Sequence, residues 1–291
     1  MIDYNNKSWF ALIFQFHKSD TFRKLLPVIL GICIYTTVLV YLETEVLHLK
    51  YESTNMVHSL LGFVISLLLV FRTNTAYERW WEGRKQWGAL VNHCRNLGIK
   101  MNAYLSDELV EERKQYATLV SNFAVALKEH LRDGVKMDEL ESCKGVDLNN
   151  LQNKSHIPNH LASDLVSWVD RMKKEGHLTE MQTLHVNDEI KGLTDVLGAC
   201  ERIKNTPIPY SYSLFLKKFL FIYVMTIPIA FIATFGYWST IIVSIVFYVL
   251  ASLELIAEEI EDPFGTDAND LPTDSLALKI KANVHELMVK Q

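Results

Sequence analysis

Apolar residues along this 291-residue chain gather into four blocks separated by polar and charged stretches. The first runs from Leu25 to Leu42 (LLPVILGICIYTTVLVYL) and the second from Met56 to Phe71 (MVHSLLGFVISLLLVF). The third covers Phe215 to Phe235, with Lys217 and Lys218 near its start, and the fourth runs from Ile241 to Ile256. A helix rising about 1.5 Å per residue needs roughly 20 residues to cross about 30 Å of hydrocarbon. The first and third blocks meet that requirement. The second and fourth are marginal, which suits helices that line a pore or pack inside a bundle, where one face need not meet lipid. The pattern predicts an all-α integral membrane protein with four transmembrane helices.

Between the second and third blocks, from about Thr73 to Pro207, the period changes. Leu90, Cys94, Leu97 and Met101 recur at helical spacing with charges between them, as do Tyr116, Leu119, Phe123 and Leu127. This predicts a large helical domain in the cytosol. The stretch LNNLQNKSHIPNHL, with Pro158 and several Asn, separates helices within it. Another helix is expected from Leu184 to Ile203, with Asp188, Glu189, Lys191 and Asp195 on its polar side, ending at TPIP. The chain then divides into residues 1–75 (N-terminal segment and two membrane helices), 76–209 (cytosolic helical domain), 210–260 (two further membrane helices) and 261–291 (acidic loop and C-terminal helix). Neither an internal repeat nor a low-complexity tract interrupts this order.

Charge placement supplies an orientation. Lys7, Lys18, Arg23 and Lys24 precede the first block; Arg72, Arg79, Arg84, Lys85, Arg95 and Lys100 follow the second; Arg202 and Lys204 precede the third. The two short connections on the other side hold only Lys50 and, in FGYWST, no Lys or Arg at all. Because Lys and Arg are retained on the cytoplasmic side, both termini and the middle are expected on the inner side of the membrane, with Tyr237 and Trp238 at the outer interface. The N-terminus MIDYNNKSWF is polar, so no cleavable signal is expected. Composition adds exclusions: 49% hydrophobic residues rule out disorder and collagen. A pI near 6.1 gives no electrostatic footprint for nucleic acid. Cys33, Cys94, Cys143 and Cys200 form no CxxC and read as free thiols.

The chain contains no GxGxxG, Walker loop, GxSxG or HExxH, so no enzyme is expected. His156 and His160 stand four residues apart, but Pro158 between them breaks the helix that would put both on one face of a metal site. His93 beside Cys94 reads as packing, since adjacent helical residues point about 100° apart. The second block is more informative. Phe63, Leu67 and Phe71 are spaced i, i+4, i+8 and stack in one stripe along about 12 Å of helix. Spacing alone leaves two readings: a helix-packing surface, or rings of large apolar side chains that narrow a pore and gate it by dewetting. The following run FRTNTAYERWWEGRKQW crowds Tyr77, Trp80, Trp81 and Trp87 among Arg72, Arg79 and Arg84, as an interfacial belt with Arg on indole would. After the fourth block, Asp262, Asp267, Asp270 and Asp274 around Gly265 offer either an oxygen-rich loop for a hard cation or an acidic turn capped at Asp270 or Thr273.

Three motifs, FRTNTAYERWWEGR (Phe71 to Arg84), GACERIKNTPIPYSYSL (Gly198 to Leu214) and IEDPFGTDANDL (Ile260 to Leu271), resemble those of the bestrophin ion-channel family, and of its bacterial members in particular. They stand in the family's order, and the likeness spans nearly the whole chain. The resemblance implies a homopentamer in membrane lipid with one axial pore, whose neck residues fall on Phe63, Leu67 and Phe71. It implies a second, cytosolic aperture made by an apolar residue just before the helix that leads to TPIP, near Met181. It implies passage of small monovalent ions, chloride and similar anions first and sodium as the alternative. No cofactor is required on this reading. Animal members clamp Ca²⁺, and the corresponding carboxylates here are Asp267 and Asp270, with main-chain oxygens from Glu259 and Asp262. The run TDAND replaces the consecutive acids of those members, so weaker Ca²⁺ binding is expected.

Overall fold

The computed structural model describes residues 20–48, 55–142 and 148–289. Lys7, Lys18, Lys50 and Cys143 lie outside the described residues. Among the described residues the chain is helical and contains no strand. In order these are α1 (Asp20–Tyr41), prolonged by a π turn (Leu42–Val46), α2 (Asn55–Tyr104), α3 (Val110–His130), α4 (Leu148–Gln152), α5 (Ile157–Lys174), α6 (Glu180–Asn205), α7 (Tyr210–Phe235), α8 (Trp238–Glu261) and α9 (Thr273–Met288). The helices α1, α2, α7 and α8 are long and apolar enough to cross a membrane.

Two boundaries differ from the reading of the sequence. The second apolar block is the first third of a 50-residue helix, which at the usual rise is about 75 Å long. The apolar run stops at Phe71 because the surroundings change, while the backbone continues through FRTNTAYERWWEGR without a proline to break it. A domain boundary at 75/76 therefore falls inside α2. The fourth block likewise belongs to a 24-residue helix, about 36 Å long, whose polar ends hid its full length.

The chain forms two compact units: Met1–Trp80 with Pro207–Asp262 and Asp267–Asn269, and Trp81–Thr206 with Pro263–Thr266 and Asp270–Gln291. In the first unit, α1 packs on α7 and α8, and α7 on α8. The core between these helices and the N-terminal part of α2 contains Ile32, Ile65, Leu69, Leu216, Val224, Ile227, Val243 and Phe247. Gly62 lets α2 approach α7 closely, since a Cβ there would stand 2.7 Å from the Tyr223 hydroxyl. The α7–α8 connection is tight because Gly236 adopts a positive φ of 52°, a conformation side-chain-bearing residues avoid.

The second unit is built around α3, which is buried along most of its length and packs on α5 and α9. Tyr116, Leu119, Phe123 and Leu127 from α3 and Leu90, Cys94, Leu97 and Met101 from α2 are all buried there, as their spacing predicts. Arg113 donates from Nε to the Met288 carbonyl at 2.9 Å, meeting one of the orphan acceptors at the end of α9. The helix α6 begins earlier than expected, at Glu180, because Thr179 and Gln182 form a reciprocal capping box. The helix α9 opens after Pro272 without a side-chain cap, so neither Asp270 nor Thr273 plays that part. Asp274 instead sits in its first turn and accepts from Arg132 at 2.7 Å.

Candidate functional site

The face of α2 carrying Phe63, Leu67 and Phe71 points away from the chain's own core. Those three residues are 67%, 47% and 57% exposed, whereas Ile65, Leu69, Arg72 and Ala76 are at most 1% exposed. A step of two residues along a helix turns about 200°, so the two sets occupy opposite sides. Packing against the described residues of the subunit is thereby removed as an explanation of the stripe. The apolar stripe is continued by Leu60 and Val64, also exposed.

Immediately below the stripe a charged cluster ties three segments of the first unit together. Arg72 is buried, with Nη1 2.6 Å from Glu261 and Nε 3.6 Å from Glu254, both carboxylates being largely buried as well. Arg79 donates from Nε to the Glu261 carbonyl at 3.0 Å. The amide of Ile208, in TPIP, donates to the Glu261 carboxylate at 2.8 Å. Glu261 thus joins residues from all three family-like motifs. Buried charges are tolerated only when paired in this way, because each would otherwise lose its hydration without compensation. Trp80 donates its indole N–H to the Asn269 carbonyl at 3.0 Å and stacks on Tyr77, so the aromatic belt is also a structural anchor for the acidic loop.

Of the residues expected to ligate Ca²⁺, Glu259 and Asp267 are brought together, but on a lysine. Lys24 Nζ lies 2.9 Å from the buried Glu259 carboxylate and 3.9 Å from that of Asp267. Asn269 supplies a further donor to Glu259 at 2.7 Å. Asp262 terminates α8. Asp270 is buried and belongs to the second unit. The Glu259 and Asp267 carboxylates are thus gathered around an ammonium, whereas the expected contribution of Glu259 to a Ca²⁺ clamp is a main-chain oxygen. Met181, 63% exposed, lies inside the first turn of α6, with Leu184 exposed one turn further on.

Sequence reasoning missed Lys24, Glu254 and Glu261. One signal was present: Glu254 stands inside the fourth apolar block, where a carboxylate needs a basic partner, and Arg72 is the basic residue directly after the second block. The pairing of His93 was missed too. Its Nδ1 stands 2.7 Å from Glu189, and its ring fits only because position 192 is glycine.

Four apolar helices, an outward apolar stripe and a buried charged cluster beneath it define a membrane protein. The chain belongs to the bestrophin family: the family described as Bacterial/Fungal Bestrophin protein matches residues 1–286. It is 36% identical over 230 residues to a voltage-dependent anion channel-forming protein of Nostoc sp., a match covering 78% of this chain and 75% of the relative. It is 29% identical over 288 residues to the voltage-dependent anion channel-forming protein YneE of Escherichia coli, covering 99% of this chain and 94% of that one. A solved bacterial bestrophin homolog from Klebsiella pneumoniae superposes with a TM-score of 0.85 over 92% of this chain and all of its own, at 24% identity, and so shares the fold.

Proposed function

We propose that the chain is the subunit of a homopentameric channel that passes small monovalent anions such as chloride across the bacterial plasma membrane, with both termini in the cytoplasm. The observation that carries this reading is the outward stripe Phe63, Leu67 and Phe71, which is too regular and too exposed to serve the subunit's own packing. Five copies with this face turned to a common axis give stacked apolar rings, a neck that gates by dewetting. The relatives named as anion channel-forming proteins support the choice of permeant ion. The distribution of Lys and Arg supports the orientation. Met181, exposed at the start of α6, is the proposed residue of a second aperture on the cytoplasmic side.

An apolar neck offers no charge of its own, so choice of sign falls to helix-end dipoles and to charged residues on either side of it. The test is planar-bilayer recording of the purified protein under a salt gradient. A reversal potential near that of chloride is expected, and one near that of sodium would replace anion by cation selectivity. Leu67→Ala with Phe71→Ala is expected to raise unitary conductance or open probability. Currents unchanged in that double variant would remove these residues from the gate.

A further inference from the structure

A second cluster, in the other unit, has no part in the proposed conduction. His130 is the last residue of α3, His156 precedes α5 as its N-cap, and Glu201 lies in the next-to-last turn of α6. The Nε2 atoms of both histidines stand 2.7 Å from the same oxygen, Oε1 of Glu201. The two rings are tilted on one another with centroids 4.6 Å apart, and the three ligand-capable atoms all lie within 4.8 Å of one another. Each side chain is between a quarter and a third exposed, so the group is seated in the protein and still open to solvent on one side. The position of His130 is further fixed by Lys204, whose ammonium donates to the His130 carbonyl at 3.1 Å.

We propose that His130, His156 and Glu201 bind a divalent transition-metal ion, Zn²⁺ being the best match, with the remaining coordination position left to water. Two imidazole nitrogens and one carboxylate oxygen with an open fourth place is a donor set zinc accepts, whereas Ca²⁺ and Mg²⁺ require mainly oxygens. Tetrahedral zinc with bonds of about 2.0–2.1 Å places its ligand atoms roughly 3.3 Å apart. From the observed 2.7 Å, the carboxylate needs to retreat from each ring by only about half an ångström, within reach of side-chain rotation.

Without metal, each ring shares a proton with Glu201. The carboxyl is pushed up by burial, but hydrogen bonds from His130 and His156 outweigh this and hold it below the ordinary glutamate range. The Nδ1 of His156 accepts from the Asn159 amide at 3.3 Å, which assigns its proton to Nε2. Metal on Nε2 moves that proton to Nδ1 and ends the cap hydrogen bond. The ion would therefore clasp the end of α3, the start of α5 and α6 together while releasing one local contact of α5. His160, the partner suggested by spacing, plays no part: it stands one turn inside α5, whereas His156 is positioned by being outside it.

The test uses the full chain in detergent, stripped with a chelator and then titrated with Zn²⁺, reading metal bound per chain, melting temperature and, with Co²⁺ in place of Zn²⁺, the visible absorption of a low-symmetry site. About one ion per chain, a raised melting temperature and no response to Ca²⁺ or Mg²⁺ are expected. Glu201→Gln and His156→Asn are expected to weaken binding by about tenfold or more, since even outer-shell changes at metal sites cost that much. His156→Asn keeps an N-cap oxygen but gives up the hydrogen bond to Glu201, so Zn²⁺ bound per chain at a temperature where the variant is folded, and not melting alone, reads the loss of a ligand. No Zn²⁺ retained by the parent, or unchanged affinity in both variants, would overturn the proposal.

Discussion

Arg132 anchors the start of the C-terminal helix: it donates to the Phe264 carbonyl at 3.3 Å, to the Thr273 hydroxyl at 3.0 Å and to both oxygens of Asp274. Lys128 adds a second cation 3.0 Å from Asp274. Hydrogen bonding from Arg132, opposed by partial burial and reinforced by Lys128, holds the Asp274 carboxyl well below the usual range. For Glu129, burial pushes up but Lys128 and Lys136 prevail and leave it lowered as well. Carboxyl groups depressed by folding contribute stability that is complete above their unfolded value, about 4, and that is lost as pH falls through the folded value. Melting temperature is therefore expected to fall steeply below about pH 4. Asp274→Asn should cost about 1 kcal/mol at neutral pH, allowing for its solvent screening, and should flatten the acid limb of the melting curve. An acid limb identical to the parent's would contradict the assignment.

Residue-scale pairing is also where the sequence is least legible. The stripe on α2 was visible because it is periodic, but Lys24 meets Glu259 across 235 residues, and only the fold brings them together. Lys24 now fixes an expectation for the acidic loop: a Ca²⁺ ion that takes up the Asp267 carboxylate competes with the ammonium that stands between it and the Glu259 carboxylate. Lys24→Ala should gain a rise in melting temperature with millimolar Ca²⁺ that the parent lacks, and equal responses in the two proteins would reject this competition.

At the scale of elements, the four membrane helices, α3 and α6 could be read from apolar spacing, whereas α4 and the start of α5 fall in LNNLQNKSHIPNHL, a stretch expected only to separate helices, and the helix ends could not be read. The helix α2 outruns its apolar block because no proline breaks the backbone where hydrophobicity stops, and α6 starts early because its capping box, Thr179 with Gln182, lies upstream of Leu184. Close approach between helices was likewise invisible in the sequence. A Cβ at Gly192 would lie 2.4–2.6 Å from three atoms of the His93 ring, which Glu189 holds in place. Gly192→Ala should thus force α6 from α2 and destabilise the protein by about 1–3 kcal/mol in thermal or denaturant unfolding. An effect within a few tenths would mean that the ring moves freely. The buried thiol of Cys200, pushed up to about 12 by its apolar surroundings, is expected to stay inert to alkylation while this packing holds.

For the whole molecule, the membrane class was legible in four apolar blocks, whereas assembly was not, because a stripe facing a second copy and a stripe facing lipid have the same sequence. The exposed set on α2 and the family to which the chain belongs make the shared axis the reading with the widest support. It places Leu67 in the middle of the neck, where any bulky group attached there must meet the permeating ions. The most direct measurement follows from this: Leu67→Cys channels recorded in a planar bilayer before and after a charged thiol reagent, with the parent protein as reference. The account predicts an irreversible change in unitary current for the cysteine variant and none for the parent. Confirmed modification of the introduced cysteine with no change in current would contradict it.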